Sequence, residues 1–516
     1  MNKQLPERSN LEQLKTQAKD LLHEVRAGQA GALVRIGNEN RETFALHDAQ
    51  RILAREYGFP SWPKLKLHIE TRTDDDAESR LVEAVRRGET ETLAELLRER
   101  PALARRSVST AAVLADLPGL KTMLAGDPAR IKAWGGLNAA EPLAYVCLGR
   151  LGGDGAARLE CVEYLLANGA DANGTWLDPE WAESRQPILY AAVGRNNYPA
   201  IARRLLAEGA RTEDGESIYH AAEENHRECL EALAAAGADF SSRQSPYGNT
   251  PLYFLLGHVP RGARAATVIQ GIRWLIQHGA NPNVASYVGQ QAETALHAVV
   301  NNGWPIELIE EFIAHGADAN LPRKDGRTAL VLAERLGRAD VAALFRRHGA
   351  KAQLEPADQF LGACFRRDAT EVQRLLAAES TLPREMERSE PDLLVTTAAK
   401  APAGAIDLML RAGFAIEGTG SAGETALLNA CWHGRAETVR LLLAKGANPQ
   451  HCDTKYQGSA LGWCSHGSVN CAAVDGDYAA VAEALVAAGL SVPLKYRRSW
   501  EASEPVMAVL RKHGLI

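Results

Sequence analysis

Cysteine, histidine and aspartate gather near the end of the chain in a pattern that could support chemistry. Cys431-Trp432-His433 is followed by His451-Cys452-Asp453, then by Trp463-Cys464-Ser465-His466, Cys471, Asp475 and Asp477. Such side chains bind zinc when a fold stacks them together. No Cys-x-x-Cys or His-x-x-x-His pair tightens the set, and Cys431 and Cys464 fall where a helix needs a small buried residue. Structural packing is therefore the expectation, and neither a metal nor a cofactor is assigned. Ser465, His466 and Ser468 lie close in sequence, yet no strand–turn–helix elbow surrounds either serine to make a nucleophile. Gly418-Thr419-Gly420-Ser421-Ala422-Gly423 matches the dinucleotide-binding pattern by letter, but that motif requires a preceding β-strand in a βαβ unit. Here it reads as a turn before Thr425. Trp176, Pro179 and Trp181 share a polar segment, where they either anchor a partner or pack down over the chain's own edge. Trp176, Trp181, Trp463, His466, Cys471, Asp475 and Asp477 are the pocket candidates.

The elements that position these residues are set by a repeat. Gly-Ala followed by a small polar residue recurs after short apolar stretches, as in Gly169-Ala170-Asp171, Gly279-Ala280-Asn281, Gly316-Ala317-Asp318 and Gly446-Ala447-Asn448. The intervals are mostly about 28 to 43 residues, a period that marks stacked helical units. Because each unit touches only its neighbours, 516 residues do not require one large core. A net charge of −6 does not announce a nucleic-acid or membrane partner. No apolar run reaches about 18 residues, so no membrane span is expected. The N-terminus lacks an apolar core and cleavage site, so no secretory signal is expected. Eight cysteines in so long a chain are not a disulfide framework, which points to a reduced, cytoplasmic protein.

Residues 1–73 differ from the rest. Ser9 and Glu12 form a capping box opening an amphipathic run through Val25 to Gly28. A second helix is expected over Leu46 to Tyr57, and Phe59-Pro60-Ser61-Trp62-Pro63 makes a corner from which Ser61 caps a third helix through Ile69. Arg72-Thr73-Asp74-Asp75-Asp76-Ala77 reads as a polar linker. The strings Ala49-Gln50-Arg51 and Ala54-Arg55-Glu56-Tyr57-Gly58-Phe59-Pro60-Ser61-Trp62 resemble an N-terminal helical module found ahead of ankyrin arrays in bacterial proteins.

From Glu78 the unit is helix, turn, helix, loop. Asp325-Gly326-Arg327-Thr328-Ala329-Leu330 runs on through Gly337 to Gly349-Ala350, Gly423-Glu424-Thr425-Ala426-Leu427 to Gly446-Ala447-Asn448, and Thr294-Ala295-Leu296-His297 and Thr250-Pro251-Leu252 repeat the most specific part. These strings resemble the ankyrin repeat. The Thr caps the first helix, paired small residues admit neighbouring helices, and the terminal Gly ends the second helix in the left-handed region. Leu81 to Gly88 and Phe360 to Arg367 lack the Gly turn and read as starting units. The expected architecture is an all-α ankyrin-repeat solenoid behind a small N-terminal helical module. The expected divisions are a module over 1–73, a first array over 78–350, and a second over 358–516, stacked on the first.

The resemblance implies that a partner protein binds the hairpin tips and the two residues after the small pair of the first helix. Carried onto this sequence, those positions include Tyr247, Asn249, His258, Asn301, Asn302, Lys324, Arg327, Arg335, Trp432 and His433. The first reading is a non-enzymatic scaffold that binds an unidentified protein, not nucleic acid or membrane, in a concave groove. The alternative is an enzyme or small-ligand protein with a pocket built from the insertions near 176–181 and 463–477. Neither reading fixes an oligomeric state.

Overall fold

The computed structural model describes residues 11–37, 44–178, 184–245, 248–257, 262–287, 291–471, 473, 475–497 and 499–516. Helix follows helix along the chain. Among the described residues the strands are Thr175–Leu177 and Arg185–Pro187, paired antiparallel with Trp176 opposite Gln186. No helix of the described residues is long and apolar enough to cross a membrane. The chain divides into two compact units, residues 1–238 and 239–516.

The first unit begins with helices Leu11–Arg26, Ala30–Ile36 and Leu46–Glu56, which bury Leu14, Leu21, Val25, Ile52 and Leu53 in a core of their own. Arg35 and Glu56 tie the second to the third at 2.8 Å. The Ser9 cap lies outside the described residues. The linker expected at Arg72 to Ala77 is instead helical. It lies inside one long helix, Trp62–Arg87, which stops only at Gly88 with φ 77°. The stretch is polar but contains no Gly or Pro to break a helix. Its carboxylates also have partners, since Asp74 pairs with Arg100 at 2.9 Å and Arg106 at 3.0 Å.

Helix pairs then repeat in both units. The recurring glycines 169, 209, 237, 279, 316, 349, 413, 446 and 489 all take φ between 82° and 105°. A Cβ on any of them would meet nothing within 4 Å. Handedness, not crowding, therefore demands glycine there. Thr250, Thr328 and Thr425 cap first helices by accepting the backbone N–H of Tyr253, Val331 and Leu428. Thr294 uses a variant in which its own N–H donates to the buried His297 Nδ1 at 3.0 Å. Burial lowers the His297 pKa to about 4, which suits a neutral ring accepting that bond.

The small polar residues after Gly-Ala carry a further device. Four residues beyond the glycine, the Asn283 amide donates to Gly316 O at 2.8 Å and accepts Asp318 N–H at 2.8 Å, stitching one repeat to the next. Asn173 does the same with Gly209 O at 3.0 Å and Arg211 N–H at 2.9 Å. In the second unit, helix Ala329–Arg335 packs on Pro356–Arg366 across the irregular stretch 351–355. The approach is close enough that a Cβ on Gly362 would lie 2.4 Å from Glu334 O.

Candidate functional site

Successive first helices of residues 239–516 end on one groove of about 1350 Å³. Asn301 and Asn302 reach it from the end of Ala295–Asn301, Leu336 from Ala329–Arg335, and Phe365 from Pro356–Arg366. Lys400 follows Leu393–Ala398, Trp432 and His433 end Ala426–Trp432, and Asn470 and Cys471 end Ala460–Asn470. Each repeat packs on its neighbours in the same way, so the C-terminal ends of these helices come to line the same groove.

Six of the sequence-predicted residues meet in this groove: Asn301, Asn302, Trp432, His433, Cys471 and Asp475. The two asparagines spend their amide N–H groups on the scaffold, Asn301 on Glu293 at 2.9 Å and Asn302 on Leu256 O at 2.8 Å. Trp432 is half-buried, set edge-on against Trp463 with ring centroids 5.7 Å apart and tilted against His466 at 5.4 Å. Cys471 Sγ and His433 Nδ1 lie 3.5 Å apart. Burial, with Arg435 adding to it, lowers the His433 pKa to about 4, so the imidazole is neutral. Asp475 pairs with Arg435, which also donates to Ala399 O at 2.7 Å.

Other predicted residues lie elsewhere. Trp463 donates to Asp453 at 2.8 Å, His466 is exposed and lines a separate recess beside Trp500, and Asp477 caps helix Tyr478–Ala487. Lys324 is exposed above the Tyr287 ring, and Asn249 is buried against Ser245. Arg327 and Arg335 occupy a side recess of about 120 Å³ opening beside Lys400. There Arg335 meets Asp358 at 2.7 Å and Glu390 at 2.8 Å, and Arg327 meets Glu390 at 2.7 Å. Arg323 adds Glu293 at 2.6 Å and Asp325 at 2.5 Å. Tyr247, His258 and Trp181 lie outside the described residues.

Trp176, expected in a loop, is buried in the first unit on strand Thr175–Leu177, which pairs with Arg185–Pro187. The Arg195 and Arg86 guanidiniums stand 5.2 Å and 5.8 Å from its ring, both fixed by the buried Asp178. A smaller recess of about 310 Å³ in this unit is lined by Arg150, Tyr190, Arg195, His220, Glu224 and His226.

Among the described residues, no three His, Cys, Asp or Glu side chains are placed to hold a metal. Cys431 and Cys464 are buried, and burial raises the Cys464 thiol pKa to about 12. Ser465 accepts the Trp500 indole N–H at 2.9 Å and Ser468 accepts Ser503 N–H at 2.9 Å, so both serines serve packing. The glycine-rich string closes a hairpin in which Thr419 bridges Thr425, as its place before a capping Thr implies.

Sequence reasoning missed Phe365, Arg338, Arg435 and above all Lys400. The repeat around Lys400 has no Gly-Ala-Asp ending, and its frame was therefore not read. The small pair Ala398-Ala399 directly before it is the signal that would have placed Lys400 in the groove.

Comparison with known proteins fits this geometry. Residues 154–244 and 263–355 match the family described as ankyrin repeats in three copies, and residues 422–454 match the single ankyrin repeat. Among solved structures, the human ASB11 ankyrin repeat domain is 24% identical, with 48% of this chain and 100% of that chain covered and a TM-score of 0.35. The ankyrin repeat domain of Bcl-3, a member of the IkappaB family, is 20% identical, with 46% and 97% covered and a TM-score of 0.38. Family match, capped helix pairs and left-handed glycines agree over residues 154–244, 263–355 and 422–454: these stretches are ankyrin repeats.

Proposed function

We propose that the chain is a non-enzymatic scaffold that docks a partner protein in the groove of residues 239–516, in a reduced, cytoplasmic setting. The observation that carries this reading is the convergence of successive first-helix ends on one groove of about 1350 Å³. A half-buried Trp at its wall suits partner contact, because tryptophan is enriched where interface energy concentrates. In the same reading residues 1–73 are a helical module, 78–350 and 358–516 are two successive arrays, and nucleic acid and membrane are not partners. Eight free thiols, none in a disulfide, fit the reduced setting. The test is affinity purification from native lysate with the wild type and a Trp432→Ala/His433→Ala variant. A protein lost only with the variant supports the groove, and an unchanged set of captured proteins overturns it.

A second reading, a small-ligand or enzyme pocket, has one observation in its favour, the 3.5 Å approach of Cys471 Sγ to His433 Nδ1 inside the groove. A neutral imidazole there can accept a hydrogen bond from the thiol. If iodoacetamide modifies Cys471 no faster than the exposed Cys452 between about pH 6 and 8, the pair has no special reactivity and this reading falls.

A further inference from the structure

We infer that the groove takes an acidic, extended protein segment, with carboxylates facing Lys400 and Arg338 and apolar side chains against Phe365, Leu336 and Trp432. This rests on the scaffold reading above and names the chemistry of the partner.

Charge is distributed unevenly between the groove and the chain. The whole sequence carries 58 Lys and Arg against 64 Asp and Glu. The groove lining reverses that balance, because Arg264, Arg338, Lys400 and Arg435 face it and Asp475 is its one acidic member. Asp475 is already committed to Arg435. In the adjoining recess, the carboxylates of Glu293, Asp325, Asp358 and Glu390 are taken up by Arg323, Arg327 and Arg335. None of the described carboxylates comes within ion-pair distance of Lys400, although its amine lies next to this network and lines both spaces. Arg338 has Asp340 only at 4.0 Å and otherwise donates to Trp304 O at 3.0 Å. Enclosure by the groove walls, with Arg335 and Arg323 close by, also holds the Lys400 amine below the ordinary lysine range. An arriving carboxylate would supply the ion-pair partner that Lys400 lacks among the described residues.

The apolar members of the lining decide between acidic partners. Phe365, Leu336, Val300, Pro402 and Trp432 line the groove together with the cations. Nucleic acid calls for an unbroken basic track, which the apolar members of this lining interrupt. A peptide that mixes acidic and apolar side chains matches both kinds of lining.

The test is fluorescence anisotropy of the full chain with a labelled 15-residue peptide of Asp and Glu alternating with Leu and Phe. Its Asn/Gln counterpart and a single-stranded oligonucleotide serve as competing probes. The acidic peptide should bind, weaken about tenfold with Lys400→Glu, stay within about twofold with Lys400→Arg, and weaken as salt rises from about 50 to 200 mM. Circular dichroism and melting curves must show the variants folded. The inference is overturned by equal binding of the neutral peptide, by unchanged affinity in folded Lys400→Glu, by preference for the oligonucleotide, or by no acidic-peptide binding up to about 1 mM. A partner captured from lysate through Trp432 and His433 would survive those results, so failure of the acidic chemistry and failure of the scaffold reading are distinguishable.

Discussion

Each unit holds a tryptophan and a histidine near charged side chains, and the two pairs are treated in opposite ways. In residues 1–238, Trp176 is fully buried, with Arg86 and Arg195 over its ring and Asp178 fixing both. His220, tilted against Tyr190 with ring centroids 4.9 Å apart, is gripped by Glu216 and Glu223. In residues 239–516, Trp432 is half-exposed at a groove, and His433 faces a thiol instead of a carboxylate. The first unit pairs the charges around its tryptophan and histidine with one another, while the second leaves Lys400 at its groove with no ion-pair partner among the described residues. Spare residues in a repeat can therefore serve closure as well as binding, and what separates the two is whether each charge has found a partner within the chain.

The largest effect that tests this contrast is on stability. Trp176→Ala removes a fully buried ring and strands two guanidiniums above a cavity, so it should cost about 3–5 kcal/mol in denaturant unfolding. Trp432→Ala should cost about 2 kcal/mol or less, because the residue is already partly in contact with water. Equal losses would erase the distinction between a buried and a partly exposed tryptophan.

Next comes the recess beside Lys400, where the second unit also closes on itself. Arg335 and Asp358 are both buried, so Arg335→Met leaves a carboxylate in the interior with Arg327 as its remaining cation. The expected cost is about 3–5 kcal/mol, and Arg335→Met/Asp358→Leu should recover part of it, because the replaced pair no longer leaves a lone charge. A single variant as stable as wild type would show the recess to be as open as the groove.

The two histidines should respond to pH with opposite signs. Burial alone would lower the His220 pKa, but the hydrogen bonds from Glu216 and Glu223 outweigh it and raise the value to about 9. Its contribution is then fully present below the unfolded value of 6.5 and lost as pH rises toward 9. His433, lowered to about 4, contributes above 6.5 and loses that contribution as pH falls toward 4. Subtracting His220→Gln from wild type should remove a slope of no more than about 1.4 kcal/mol per pH unit between those limits on the alkaline side, and His433→Gln one on the acid side. Unfolding titrations showing the same sign for both would break the comparison.

Local signals made the repeat legible in the sequence. Thr250, Thr328 and Thr425 cap as their type and position imply, and glycines from 169 to 489 take the left-handed conformation their recurrence requires. The groove was half-legible: Trp432, His433, Asn301 and Asn302 followed from counting beyond a small pair, whereas Lys400 sits in a unit whose ending lacks the mark. Pairing was not legible at all. Arg327 and Arg335 have the same side chains as free surface cations, and only folding brings Asp358 and Glu390 beside them. The helix through Arg72 to Ala77 was missed for a related reason, because its acids look like a solvated linker until Arg100 and Arg106 arrive from later in the chain.

The smallest expected effect is a control on the comparison. Asn173 in the first unit and Asn283 in the second each make the same two bonds to the following repeat, one as donor and one as acceptor. Both are exposed in that role, so water replaces part of what is lost, and Asn→Ala at either position should cost about 1 kcal/mol. If the units differ only in how they treat their tryptophan and histidine, the two losses should agree within about 0.5 kcal/mol. A clearly larger loss at Asn173 would mean that the first unit is held more tightly throughout. Its buried tryptophan and clamped histidine would then be consequences of general rigidity, not of the charges paired around them.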